Sequence, residues 1–472
     1  MRITKFLKVF MSSILLIEPA KTKSGSDSIW NTIKQSSLPF GLLQLAAFIK
    51  ANNIKVDLID LQVKKFSEAE FLERVLKLRP DFFGITANTV QIKPGLSIAK
   101  LLKQNFPNIK IVFGGIHATV MADEVLAEQF VDFVVRGEGE QTIVELLAGR
   151  AYSEINGLSY KINGQIIHNQ PRELIADLNL LPTPAYELID LKLYRPTLGN
   201  FKQLPSVSIT TSRGCPGTCT FCFSGAMGKK IRFMSAQKIF NHIKFLHDKF
   251  GVRDINFYDD TFTVNRANVF ELCKMLIEAK LGISWGCMSR LDCVSEEILE
   301  MMHEAGCHQI GYGIETTSKE ILENIKKRVP PLERIKEIVE TTKKIGIEVR
   351  AMFMLGNPGE TEMTMEDSIK FAKSLNADIY LFNVTTPYPG TEMFGWADKN
   401  EYLITKNWDN YDLYHYVMRL PTVDNKTIEK YYKKAYRSCY LRPSFIIRRL
   451  RKINSWNLLK AHVQTFTYFL KS

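Results

Sequence analysis

Two successive series of alternating strand and helix signals constrain this 472-residue chain more than anything else in it. A short apolar run at Ser13–Glu18 is followed by an amphipathic segment at Pro39–Lys50. Strand signals recur at Lys55–Asp60, Asp81–Thr86, Lys110–Gly114 and Phe133–Arg136. Helical periodicity covers Glu68–Leu78, Leu96–Gln104, Ala122–Gln129 and Gln141–Ala148, with Ser67 placed to cap the first of these. Strands that alternate with helices return to their sheet in parallel. Residues 1–150 therefore predict a Rossmann-like, doubly wound α/β domain. Ligands of such sheets sit beyond the carboxyl ends of the strands. Those ends carry Asn88 and Thr89, Gly114 and Gly115, and Gly137 and Glu138, and the glycines permit close backbone approach to a ligand. Residues 151–200 read as a linker with a small hairpin at Asn156–Ile166, followed by Pro182 and Pro184. A second βα series spans 201–395, with strands at Ser206–Thr210, Asp254–Tyr258, Ser284–Met288, His308–Ile314, Glu348–Phe353 and Asp378–Asn383. Residues 396–472 follow as a helical, basic and aromatic C-terminal region.

Cys215, Cys219 and Cys222 stand directly after the first strand of that second series, spaced Cys-x3-Cys-x2-Cys. Three thiolates this close suit a soft metal centre. Zinc usually takes four ligands, and no fourth Cys or His follows at finger spacing. A 4Fe–4S cluster also wants four cysteines, so a cluster held by three would leave one iron open to an exogenous ligand. A stray thiol group or a small zinc knuckle is the bland alternative. The other five cysteines are scattered and suggest no disulfide framework, which points to a reducing cytoplasm.

The triad, with Phe221 just before its last cysteine, resembles the signature of the radical S-adenosylmethionine (SAM) enzymes. Further pieces follow in that family's order: Asp259-Asp260, Arg290 after the third strand, Gly311-Tyr312-Gly313-Ile314-Glu315 at the fourth, Gly356-Asn357-Pro358-Gly359-Glu360-Thr361 at the fifth, and Tyr388-Pro389-Gly390-Thr391 at the sixth. The N-terminal series resembles the cobalamin-binding domain that precedes the barrel in one branch of this family, related to the anaerobic magnesium-protoporphyrin cyclase type. Its matching pieces are LPFGLLQLAAFIK, DFFGIT, VFGGIHA and DFVVRGEGE. The resemblance covers about residues 12–395. It implies a partial (β/α)6 barrel with its chemistry at the strands' C-terminal ends. The three cysteines would hold three irons of a 4Fe–4S cluster, and SAM the fourth. Phe221, Asp260 or Asp259, Arg290, Glu315 and Gly356 would contact SAM, and Tyr388 would offer a proton or hydrogen atom to substrate. Cobalamin is implied as a further cofactor, although the Asp-x-His-x-x-Gly cobalt-ligand motif is absent and His117 does not fit it.

The activity the resemblance implies is radical C-methylation of an unactivated carbon. A cyclase, an oxidoreductase or a carbon–carbon coupling enzyme is the alternative within the family, and an iron–sulfur or cobalamin sensor the alternative outside enzymes. A methylthiotransferase would need a second cysteine triad, and no cysteine precedes Cys215. The substrate is a small or lipid-linked molecule, and the electron donor a flavodoxin or ferredoxin.

Charge is unevenly placed. Residues 430–472 hold eleven Lys/Arg and no Asp or Glu, nearly all of the formal net charge of +12. A basic surface confined to one tail argues against a general nucleic-acid-binding protein. Its interleaved Tyr, Phe, Trp and Leu residues point to peripheral contact with an anionic inner membrane face. Packed helices with a solvated basic face would give the same composition. No segment reaches the roughly 20 uninterrupted apolar residues of a membrane span.

Overall fold

The computed structural model describes residues 12–21, 36–194, 196, 199–223 and 228–450. Two compact units divide the chain, residues 1–22 with 39–193 and residues 23–38 with 194–472.

The first unit is built on a seven-stranded sheet in the order β2-β1-β3-β4-β5-β6-β7. Its strands are β1 Ile14–Glu18, β2 Val56–Asp60, β3 Phe82–Thr86, β4 Lys110–Gly114, β5 Phe133–Val135, β6 Leu158–Ile162 and β7 Gln165–His168. The first five pair in parallel. Helices connect them: α1 Phe40–Ala51, α2 Glu68–Leu78, α3 Ile92–Asn105, α4 Ile116–Val120, α5 Ala122–Ala127 and α6 Glu140–Leu147. A strand covered on both faces needs apolar side chains on both, and Ile14 to Ile17 are all buried. Ser67 caps α2 through a reciprocal capping box with Glu70.

The hairpin at 158–168 differs from the linker expectation. β6 pairs antiparallel with β5 and carries the sheet outward to β7. Its turn is Asn163-Gly164, both at positive φ, the two-residue turn whose twist matches paired strands. Periodicity shows such a hairpin exists, but not which edge it joins.

The second unit is a parallel six-stranded sheet in the order β15-β14-β13-β12-β11-β8. The strands are β8 Ser206–Ile209, β11 Asp254–Phe257, β12 Ser284–Ser289, β13 Cys307–Glu315, β14 Glu348–Leu355 and β15 Ile379–Val384. A two-stranded ribbon of β9 Ser212–Arg213 and β10 Arg232–Phe233 flanks the cysteine loop. Helices α7 Ala236–Phe250, α8 Arg266–Ala279, α9 Glu296–Glu304, α10 Lys319–Asn324, α11 Leu332–Ile345, α12 Glu362–Ser374 and α13 Glu392–Lys399 alternate with the strands. Alternation within each strand separates wall from lumen. Val349, Ala351, Phe353 and Leu355 are fully buried, whereas Arg350 and Met352 between them are only partly covered.

Two C-terminal helices follow, α14 Asn425–Tyr440 and α15 Pro443–Leu450. α14 finishes the open edge of β15. The Tyr436 hydroxyl accepts from Phe382 N (3.2 Å) and donates to Phe382 O (3.1 Å), and Tyr440 does the same at Tyr380 (3.0 and 2.8 Å). Four helical residues rise about 6 Å and two strand residues about 6.6 Å, so hydroxyls one turn apart meet alternate strand residues. Each tyrosine therefore satisfies an N–H and a C=O that a seventh strand would otherwise have paired. Replacing either Tyr436 or Tyr440 with Phe should lower unfolding free energy by about 1–3 kcal/mol, the cost of leaving buried backbone groups unpaired. Denaturant unfolding measures this, and a loss within error would mean that water replaces the hydroxyls.

The basic region of the sequence is thus largely engaged. Arg442 donates to Lys373 O in the last turn of α12, and Arg448 to Ala377 O in the loop that follows, both at 2.7 Å. Lys434 pairs with Glu366. The aromatic stretch from Trp456 to Leu470 lies outside the described residues. Among the described residues no helix is long and apolar enough to cross a membrane.

Candidate functional site

The cysteine loop leaves β8 through Thr210 and Thr211 and turns at Gly214, whose φ of +94° favours glycine. Asp259, at the end of β11, is buried and holds this departure in place. It accepts from Thr211 N (2.9 Å), Thr211 Oγ1 (3.0 Å) and the Ser212 hydroxyl. Burial raises its pKa to about 6 against the pull of these donors. Of the two aspartates singled out in the sequence, Asp259 is therefore a support for the loop, and Asp260 is the exposed one.

The loop's far end is clamped by its backbone. Thr220 N donates to Ile325 O (3.0 Å), and Thr220 O accepts from Met393 N (2.9 Å). Phe221 packs against Ile321, Ile325 and Met393. Cys215 and Cys219 are partly covered and Cys222 is exposed. Gly217 N points at Cys215 Sγ (3.4 Å), and a Cβ on Gly217 would stand 3.3 Å from that sulfur and 3.8 Å from Cys219 Sγ. Glycine here leaves the space beside the two sulfurs open. Among the described residues no three Cys, His, Asp or Glu side chains converge tightly enough for a single metal ion. Three thiols spread around one loop instead fit a cluster in which each thiolate binds a different iron.

Three charged groups surround the thiols. Arg290, after β12, is gripped by Asp292 through Nε to Oδ1 (2.8 Å) and Nη2 to Oδ2. This pair pushes the guanidinium further above its usual pKa, and Cys215 lies within electrostatic reach. The two contacts to Asp292 use Nε and Nη2. Glu315 ends β13 at φ +67°, where the register with β14 slips by one residue between Gly313 and Glu315. A non-glycine residue in the left-handed region at a bulge is a strained conformation of the kind found at ligand clamps. Its carboxylate pairs with Lys327 Nζ at 3.0 Å. A Cβ on Gly313 would lie 2.5 Å from Glu315 Oε1 and 3.2 Å from Lys327 Nζ, so that glycine makes room for the pair.

Lys327 is the residue sequence reading missed. Burial opposes its charge, but Glu315 and Cys219 together hold its pKa above the ordinary lysine value. Burial pushes the Cys219 thiol upward, with Lys327 acting against it. The only signal in the sequence is a Lys-Lys-Arg run after α10, which reads as solvated.

Two further candidates have structural partners of their own. Gly356 packs under Ile428 of α14, and beside it Asn357, Glu360 and Thr364 form a buried hydrogen-bonded loop that starts α12. The Tyr388 hydroxyl donates to Tyr411 O (2.8 Å). This bond anchors the loop after β15.

In the first unit the strand ends divide similarly. Asn88, Gly115 and Gly137 are exposed. Gly115, at φ +92°, has no room for a side chain, since a Cβ would lie 2.7 Å from Ala87 O, and Gly114 leads into it from β4. Thr89 and Glu138 turn inward, Thr89 to His117 Nδ1 (3.3 Å) and Glu138 to Ile175 N (2.7 Å). His117 is wholly buried. Glu18, not singled out from the sequence, ends β1 and accepts from Gln62 (2.8 Å) and Gln91 (2.7 Å). Burial lifts its pKa to about 7.

The radical SAM superfamily model matches residues 209–372, and the B12 binding domain model matches residues 28–147. An uncharacterised methyltransferase of Pyrococcus horikoshii is 35% identical over 93% of this chain and 94% of its own length. The chain belongs to the radical SAM enzymes that carry a B12-binding domain. The anaerobic magnesium-protoporphyrin IX monomethyl ester cyclase of Rubrivivax gelatinosus is 27% identical over 92% of this chain and 78% of the cyclase. The fold is shared with OxsB, a cobalamin-dependent SAM radical enzyme solved with aqua-cobalamin and SAM bound, at a TM-score of 0.76 and 16% identity, covering 98% of this chain and 71% of OxsB.

Proposed function

We propose that this enzyme methylates an unactivated carbon of a small-molecule substrate by cobalamin-dependent radical SAM chemistry. The observation that carries the reading is the meeting of the Cys215/Cys219/Cys222 loop with Arg290 and Glu315 at one end of the second sheet, in a chain that also matches a B12-binding domain. When bound, the cluster with SAM supplies an electron and a hydrogen-abstracting organic radical, and cobalamin supplies a transferable methyl group.

The chain's own residues provide positioning. Cys215, Cys219 and Cys222 would hold three irons. Asp292 grips Arg290 on two nitrogens and leaves Nη1 to take the SAM carboxylate. Glu315, oriented by Lys327, accepts from the SAM ammonium. Phe221 presents its backbone, and Asp260 its carboxylate, to the nucleoside. Gly114, Gly115 and Gly137, with Asn88, offer a surface to cobalamin, and His117 is buried and would not be its axial ligand.

Anaerobic reduction with dithionite should yield 5′-deoxyadenosine, and turnover should yield S-adenosylhomocysteine in equal amount. 5′-Deoxyadenosine alone would favour cyclase, oxidoreductase or carbon–carbon coupling chemistry, a reading supported by the similarity to the cyclase. Neither product would leave a sensor. Electron paramagnetic resonance of bound cob(II)alamin should show no axial nitrogen splitting, and such splitting would contradict the ligand-free site.

The electron would come from a flavodoxin or ferredoxin. We place membrane contact, and with it a lipid-linked substrate, on residues 451–472 together with the basic face before them. Flotation should show binding to vesicles with anionic lipid that weakens with salt, and equal, negligible binding to neutral and anionic vesicles would remove this element.

A further inference from the structure

Arg350 stands in an unusual place for a guanidinium. It lies on the lumen side of β14, two residues from the strand's start, with fully buried Val349 and Ala351 on either side facing the wall. Its Nη2 donates to the side-chain carbonyls of Asn200 and Gln309. Both acceptors are neutral. Nε is buried without an acceptor, and among the described residues Arg350 forms no ion pair. Glu348, on the same face of the strand, is turned to Gln309 (3.4 Å) and Arg449 (3.8 Å). Burial accordingly pulls the pKa of Arg350 below its usual value, with Tyr258 and Glu348 opposing only through space.

The amides around it are themselves held. Gln309 Nε2 donates to Gly199 O (2.7 Å), and Asn256 Nδ2 donates to Asn200 O (2.8 Å). Asn200 and Asn256 line a small, open pocket of about 20 Å³ beside β8, together with Ser208 and Tyr258. Tyr258, just after β11, is 53% exposed. The acids at this end of the lumen are already engaged, Glu348 with Gln309 and Arg449, and Asp254 with Ser206 (2.9 Å) and His308 (3.2 Å), whereas Ser208, Asn256, Gly286, Gly311 and Met352 carry no charge. A cation fixed by neutral dipoles beside a polar cavity is a preformed receptor for an anion.

We propose that Arg350, with Tyr258 and Asn256, binds an oxyanion of the substrate, a carboxylate or a phosphate. The proposal rests on the radical SAM reading for the position of the chemistry. Five strand residues separate Arg350 from Leu355, so the anion sits roughly 17 Å below the strand ends that carry the cysteine loop and Glu315. The substrate is then an elongated molecule whose acidic end lies far from the carbon that reacts.

The test uses three probes of one length on the reconstituted full chain, anaerobically and by equilibrium titration: octanoate, octyl phosphate and 1-octanol. At least one of the anionic probes should bind wild type better than octanol, and which one identifies the oxyanion. Arg350→Gln should reduce that preference by about 10- to 100-fold, the scale of a lost charge-assisted hydrogen bond. Because Arg350 also holds Asn200 and Gln309, Asn256→Asp is the second variant. It keeps Arg350 and places a carboxylate in the cavity, and it too should remove the preference. Equal binding of all three probes by wild type, or an unchanged preference in Asn256→Asp or in folded Arg350→Gln, overturns the proposal. Formation of 5′-deoxyadenosine by wild type is scored separately, so a failure of the radical reading and a failure of the anion site give different results.

Discussion

Replacing Cys215, Cys219 and Cys222 together with Ala should leave a folded chain that carries no iron–sulfur absorbance and cleaves no SAM. The fold should survive because the loop is not held by its sulfurs. Thr220 clamps it through two backbone hydrogen bonds, Phe221 packs into an apolar cluster, and Asp259 fixes its departure from β8. Chemistry should not survive, because these thiols share one partly open loop at this end of the sheet, whereas Cys273, Cys287, Cys307 and Cys439 are buried. Iron and sulfide analysis after anaerobic reconstitution, beside far-ultraviolet circular dichroism, separates the two effects. A retained cluster would sink the assignment.

Lys327→Met should be nearly as damaging, though for a different reason. Glu315 is 8% exposed and sits in a strained backbone conformation, and Lys327 is the cation that pairs with it. Removing one member of a buried pair leaves the other charge uncompensated, at about 3–5 kcal/mol. Stability of the apo chain should fall by that amount, and SAM affinity with it, because Glu315 loses its orientation. Glu315→Gln combined with Lys327→Met should recover most of the stability and none of the SAM affinity. That split distinguishes a buried pair from a general packing defect. If the single and double variants are equally stable, the pair is not coupled as its geometry indicates. Gly313→Ala should resemble Lys327→Met, since the added methyl group would fall on the same two side chains.

Much of this was legible from residue order. Hydrophobic alternation located all eleven principal parallel strands to within about two residues, because a strand covered by helices on both faces must be apolar on both. The cysteine spacing located the chemistry, because three thiols in eight residues cannot avoid one another. Motif order placed Arg290 and Glu315 at successive strand ends, and in a parallel sheet successive strand ends share one side.

Contacts distant in sequence were decided by tertiary structure alone. Lys327 looked like part of a solvated basic run until the turn after α10 brought it under Glu315. Asp259 and Asp260 are neighbours of identical chemistry, and only the course of the turn after β11 sends one into the cysteine loop's support and the other outward. Tyr388 finds its hydrogen-bond acceptor at Tyr411, 23 residues on. The basic C-terminal region carried a charge pattern, but its tyrosines close the edge of β15, Arg442 bonds the last turn of α12 and Arg448 the loop after it. Composition and period report what a residue can do. Which partner reaches it is settled by the packing of segments that the chain keeps far apart, and that packing is what divides these residues between chemistry and support.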